Sequence, residues 1–201
     1  GANIDLGNKS INPAMGQWSS GWIGGWRGVF DGRGYTLSNY KIDSQDKGLF
    51  RMIYAEGVFK NTVIKNVTVN GSSGAIACAN SGTIENVIII GKITGGDGNP
   101  NVGAGLFASS SNGSTTTKYI NCVGILTEFG QTLNHSLAGI ITSTKYNNAN
   151  LNAGATFTNV IAINAMSGNV VLPFAAKRSG RVNGGTTPAI DPVSNYQGAN
   201  L

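Results

Sequence analysis

The sequence predicts an all-β solenoid, a chain that coils about five times and lays short parallel strands of each coil on those of the coil before. Three observations predict it. The 201 residues include 30 glycines, are 40% hydrophobic and only 11% charged. That is apolar material enough for one domain with a continuous core, joined by many turns rather than built from long helices. Second, an element of the form apolar-x-Asn-apolar-x-apolar recurs five times. Third, a Gly-apolar-apolar strand follows each copy, so the two elements alternate down the chain.

In chain order, Ala2-Asn3-Ile4-Asp5-Leu6 alternates as a short strand does. A Gly- and Ser-rich loop follows, carrying Trp18, Trp22 and Trp26. Their spacing of four suggests a helix face, but Gly16, Gly21, Gly24 and Gly25 oppose a helix, so the segment reads as an ordered N-terminal cap. Phe30-Asp31-Gly32-Arg33-Gly34 reads as a tight turn, with Gly free to take positive φ and the Asp side chain free to accept backbone N–H bonds.

The first repeated element is Leu37-Ser38-Asn39-Tyr40-Lys41-Ile42, then Ile64-Lys65-Asn66-Val67-Thr68-Val69 and Ile84-Glu85-Asn86-Val87-Ile88-Ile89. Weaker copies centre on Asn121 and Asn159. The second element is Gly48-Leu49-Phe50, Gly74-Ala75-Ile76, Gly105-Leu106-Phe107, Gly139-Ile140-Ile141 and a degenerate Val171-Leu172-Pro173-Phe174. Leu37 and Tyr40 are three apart and cannot share a face of a straight strand, so the chain must bend at Asn39. Asn tolerates the left-handed conformation that such a corner needs. Stacked on successive coils, Asn39, Asn66, Asn86, Asn121 and Asn159 are expected to form one internal amide ladder. In the same frame Ser38, Lys65 and Glu85 share an outward position, which predicts a Lys65–Glu85 pair of less than about 1 kcal/mol.

These asparagines are 27, 20, 35 and 38 residues apart, spacings that suit a solenoid with loops inserted between strands. Residues 94–101, 109–118 and 142–155 are the expected insertions. Residues 1–176 form the predicted solenoid with its Trp-rich cap, and 177–201 a polar tail or second cap. The chain opens on Gly1 rather than Met, so a preceding segment is expected.

The text Trp22-Ile23-Gly24, Phe30-Asp31-Gly32, Gly34 through Tyr40, Ile42 and Gly48-Leu49-Phe50 resembles the GLUG-motif repeat of right-handed parallel β-helix proteins. The resemblance is specific over residues 22–69 and fades to a pattern by residue 163. It implies a single-stranded right-handed parallel β-helix of about five irregular coils with end caps. It also implies a setting in bacterial surface or secreted adhesin-like proteins or in phage tails, hence an extracellular place. It carries no catalytic residues, because its motif positions are structural.

The residues that carry chemistry are few. Nine carboxylates include Asp43, Asp46, Glu56 and Glu128, candidate acids if the chain degrades polysaccharide, but no calcium-ligand spacing joins them. Asp43 and Asp46 sit in one polar turn. His135 is the single histidine and reads as a loop residue, for no nucleophile-elbow motif accompanies Ser136. Gly95-Gly96-Asp97-Gly98 lacks the Lys-Ser/Thr of a phosphate loop. Cys78 and Cys122 read as buried free thiols, neither in a CxxC pair. No metal or other cofactor is expected, and no run approaches the length of a membrane span.

Binding residues are better represented. Trp18, Trp22, Trp26, Arg27 and Arg33 bring flat apolar faces and fork-shaped donors into one region, a combination that stacks on sugars and holds acidic groups, or else covers the open end of the first coil. The net charge of +5 favours acidic partners, but Lys177, Arg178 and Arg181 are the one tight basic cluster and no nucleic-acid motif goes with them. The expected function is a non-enzymatic attachment module that binds cell-surface carbohydrate or another host receptor as part of a larger fibre or surface protein. A polysaccharide-degrading enzyme and a structural spacer are the alternatives.

Overall fold

The structure is a computed structural model that describes residues 1–11, 25–43, 47–70, 73–94, 105–111, 117–130, 140–142, 155–165, 176–178 and 190–192. The insertions expected to project from the scaffold fall largely outside the described residues, as do Trp18, Trp22, Asp46, His135 and most of 177–201. Among the described residues there is no helix, and the strands pair in parallel with one exception.

Strands β1 (Ile4–Ser10), β3 (Thr36–Ile42), β5 (Val58–Asn70), β7 (Thr83–Thr94), β10 (Val123–Phe129) and β12 (Ile161–Asn164) lie side by side in that order. Short strands β2 (Val29–Asp31), β9 (Lys118–Ile120) and β11 (Thr156–Thr158) extend the same sheet beside the first residues of β5 and β7. A second parallel sheet holds β4 (Phe50–Ile53), β6 (Ala77–Asn80) and β8 (Ala108–Ser111) in between. The chain thus visits one sheet, then the other, and returns to pair in parallel with its previous pass. The exception is β13 (Ala176–Arg178) with β14 (Ile190–Pro192), an antiparallel pair. This all-β arrangement of stacked parallel strands is compatible with a β-solenoid.

Equivalent residues of successive passes stack in columns that fill the core. Phe30, Phe59, Ile84, Tyr119 and Phe157 stand in register. Phe30 stacks on Phe59 at 4.7 Å and Tyr119 on Phe157 at 5.2 Å between ring centroids. Ile42, Val69, Ile93 and Phe129 form a second column, all buried. The Gly-apolar-apolar strands form a third: Leu49 N–H donates to Ala75 O, Ala75 N–H to Leu106 O and Leu106 N–H to Ile140 O. Gly48, Gly74 and Gly105 are needed there because a Cβ would fall 2.5–2.6 Å from the Cα of Ala77, Ala108 and Thr142 on the next pass.

The corners are built from asparagine. Asn39, Asn61, Asn66, Asn86, Asn121 and Asn159 all have φ between 51° and 57°, the left-handed region that most side chains avoid. Their amides form two ladders rather than the single one expected. Asn66 Nδ2 donates to Asn39 Oδ1 at 3.1 Å. Separately, Asn86 donates to Asn61, Asn121 to Asn86 and Asn159 to Asn121, each at 3.0 Å. The ladders also lie outside the core: Asn66, Asn86, Asn121 and Asn159 are exposed, because a left-handed corner turns its side chain away from the apolar columns.

The expected frame is therefore corrected at its third copy. Ile84-Glu85-Asn86 aligns with Phe59-Lys60-Asn61, not with Ile64-Lys65-Asn66. Lys65 stands opposite Ile90 and Glu85 opposite Lys60, so the predicted Lys65–Glu85 pair does not form. Thr62 hid the missing copy, since it occupies an apolar slot; it is nonetheless buried, with Oγ1 donating to Lys60 O at 3.0 Å.

Alternation follows from the pleat. Ile89 is fully buried, whereas its neighbour Ile88 is 39% exposed and stands in register with Val63 and Val123 on the outer face. Ile89→Ala is expected to cost about 2–5 kcal/mol in urea unfolding, and Ile88→Ala no more than about 1 kcal/mol. Equal losses at the two positions contradict this assignment of faces.

Candidate functional site

The predicted Trp/Arg cluster is divided by the fold. Trp26 bridges to Ile53 beside β4, and its ring packs on Phe50 at 4.9 Å between centroids. Its buried Nε1 has no acceptor among the described residues. The ring thus covers core side chains. Arg27 is engaged as well: Nη1 lies 3.1 Å from both carboxylate oxygens of Glu56, and the guanidinium sits 4.0 Å above the Tyr54 ring. Arg33 lies at the other end of β2, in a turn closed by Tyr35 N–H donating to Gly32 O at 2.8 Å. Trp18 and Trp22 lie outside the described residues.

The described candidate acids, Asp43, Glu56 and Glu128, are spread over the molecule, each with its own partner, and Asp46 lies outside the described residues. Glu56 holds Arg27. Glu128 pairs with Lys92 at 3.2 Å. Asp43 accepts a bond from the Ser10 hydroxyl, while its carbonyl takes Asn70 Nδ2 at 2.9 Å. Among the described residues no three His, Cys, Asp or Glu side chains gather as metal ligands. Both cysteines are buried thiols that form no disulfide among the described residues, and burial pushes the Cys122 thiol up to about 12, which keeps it protonated at neutral pH.

What the structure does assemble is a groove of about 400 Å³ on the outer surface. It crosses five successive strands, taking Asn8 from β1, Lys41 from β3, Asn66 and Thr68 from β5, Ile90 and Lys92 from β7 and Thr127 from β10. Four steps between parallel strands make it about 19 Å long. Its depth has a local cause. Asn66 and Thr127 are extra residues that break the register of β5 and β10 against β7, which carries no residue to match Asn66 between Ile90 and Gly91 and none to match Thr127 between Gly91 and Lys92. The outer surface therefore steps inward between Ile90 and Lys92; Gly91 itself belongs to the buried column of Tyr40, Val67 and Leu126, where a Cβ would clash with Val67 Cγ1. Thr127 Oγ1 donates to Gly91 O across the step at 3.0 Å.

Along one side of the groove Ser10, Lys41, Thr68, Lys92 and Glu128 stand in register. The two lysines are two strands apart, about 10 Å. Lys41 has no carboxylate partner among the described residues, and none of those residues donates to Asn66 Oδ1, the free end of the shorter ladder. Ile90 supplies an apolar wall on the opposite side of the corner. The arrangement offers cations, amide and hydroxyl groups and one apolar face to a long, narrow ligand. Nothing in the periodic text announced it, because it forms where the period fails.

Comparison with known proteins adds one finding. No protein-family model and no solved structure matches the chain. A curated match is to Halomucin of Haloquadratum walsbyi, 32% identical over 109 aligned positions that take in 47% of this chain. The matched stretch is 1% of Halomucin's own length, so this chain is similar to a small segment of a far longer protein.

Each amide ladder begins on an aspartate. Asp31 Oδ1 accepts Asn61 Nδ2 at 3.0 Å and Arg33 N–H at 2.9 Å; these bonds, with Asn61 first, hold its carboxyl below the usual range. Asp5 is lowered by the Gly7 N–H and then by Asn39. A carboxyl lowered by folding adds stability above its ordinary value, about 3.9, and loses it as pH falls through the folded value. Thermal midpoints are expected to hold from about pH 7 to 5 and to decline below about pH 4. Asp31→Asn keeps the acceptor but cannot titrate, so its decline should be shallower; a decline equal to wild type removes Asp31 from the account.

Proposed function

We propose that the chain is a closed right-handed parallel β-helix of about five coils, built from GLUG-type repeats. It serves as a non-enzymatic attachment module of a larger fibre or surface protein. In this reading it is extracellular, borne on a cell surface or a virion tail, and binds cell-surface carbohydrate or another host receptor through its flank and inserted loops. The observation that carries the reading is the groove across five stacked strands, a shape suited to a long ligand, on a scaffold whose equivalent residues repeat pass after pass. The similarity to one hundredth of Halomucin supports it from a separate direction, since a short module within a very long protein is what an attachment or spacing repeat is.

The degrading-enzyme alternative draws less support, as Asp43, Glu56 and Glu128 each satisfy a neighbouring partner rather than face one another. The test is binding of the purified chain to glycan arrays and to whole cells at several salt concentrations. Retention on at least one glycan class or cell type is expected. Silence in both formats contradicts attachment and leaves the spacer; release of reducing ends or unsaturated products from a polysaccharide replaces it with the enzyme.

A further inference from the structure

We propose that the groove between the bulged Asn66 and Thr127 binds an extended acidic polysaccharide, with Lys41 and Lys92 each facing an anionic group of the chain. The inference rests on the carbohydrate reading above and deepens it to a ligand class and a site.

Length comes first. The groove spans five strands, about 19 Å, which is too long and open for a single sugar and suits several residues of a linear polymer laid along the stacking direction. Charge comes second. Lys41 and Lys92 occupy the same outward column two strands apart, with Thr68 between them. Their separation of about 10 Å suits an acid group on every second residue of an extended sugar chain. Lys41 has no carboxylate partner among the described residues, while Lys92 shares its charge with the exposed Glu128. A mildly basic protein of net charge +5 adds a field of the same sign.

Hydroxyl and ring recognition come third. Asn66 Oδ1 ends its ladder unused by any described donor, so it is free to accept a sugar hydroxyl. Thr127 gives its proton to Gly91 O and keeps its oxygen as an acceptor toward the groove it lines. Ile90 offers an apolar surface to the C–H face of a sugar ring. Cations, hydroxyl acceptors and one apolar wall in a shallow trough are what an anionic glycan needs, and a neutral glycan leaves the lysines without counter-charge.

The experiment is isothermal or surface-based binding of the full chain to hyaluronan, which alternates uronate with neutral sugar, with polygalacturonate and neutral dextran as comparisons. Hyaluronan should bind at low salt and weaken as salt rises. The double variant Lys41→Gln with Lys92→Gln should bind at least tenfold more weakly, whereas Lys118→Gln, exposed on β9 away from the groove lining, should bind as wild type does. Lys41→Gln alone, which breaks no ion pair among the described residues, should lose binding with an unchanged melting curve, separating recognition from folding. Equal binding by wild type and the double variant, or equal losses in the double and Lys118 variants, overturns the site. Binding to dextran or to cells without binding to either acidic polymer overturns the acidic ligand but leaves attachment standing. No binding to polymers or cells overturns both.

Discussion

A left-handed asparagine at the corner of each pass is the constraint on which the rest of the structure depends. An L-residue resists that conformation, and Asn accepts it because its short amide can bond locally. Here the amide does more than relieve strain. Asn86 and Asn121 each donate to the asparagine of the pass before and accept from that of the pass after, and with Asn61 and Asn159 on either side they fix where each strand begins relative to its neighbours. Asp31 and Asp5 start the two ladders as acceptors that need no donor beneath them.

With the corners fixed, the columns of the core follow. Phe59, Ile84 and Tyr119 fall in one line because Asn61, Asn86 and Asn121 fall in another two residues later. Close approach does the same work in the second sheet, where Gly48, Gly74 and Gly105 leave no room for a side chain. Sequence distance between passes is then free to vary, and linked asparagines are 25 to 38 residues apart. That freedom matters for function, since a scaffold held by corners and columns can carry insertions of any length between strands. The groove is the converse case. It arises where the shorter ladder stops at Asn66 and the surface loses a residue, so polar groups that would have met the next pass face solvent instead.

The all-β class, the alternation of two elements and the left-handed bend at Asn39 were readable from periodicity, because each leaves a residue type at a repeating place. The Gly-apolar-apolar strands were readable for the same reason, and their hydrogen bonds join the copies in the order expected. Two things were not. Asn61 escaped because Thr62 stands in an apolar slot, so the pairing of Asn66 with Asn86 looked natural and displaced the frame by one corner. The direction of the ladders escaped too, since a repeated polar residue does not say which way its side chain points. The groove was beyond reach: it depends on single-residue bulges at Asn66 and Thr127 against a strand that lacks both residues, and periodic reading treats such departures as noise. The Trp and Arg residues that looked most like a binding cluster are partly occupied by the fold itself, Trp26 against Phe50 and Arg27 against Glu56.

The most direct test of the corner account compares Asn121→Gly with Asn121→Ala by urea unfolding. Asn121 donates to Asn86, accepts from Asn159 and has φ of 51°. Glycine removes both amide bonds but keeps the corner, a loss of about 1–2 kcal/mol. Alanine removes the same bonds and strains the corner, a further loss of about 1 kcal/mol. Alanine clearly worse than glycine is the predicted result. Alanine equal to or milder than glycine contradicts the claim that left-handed asparagine corners hold the passes in register.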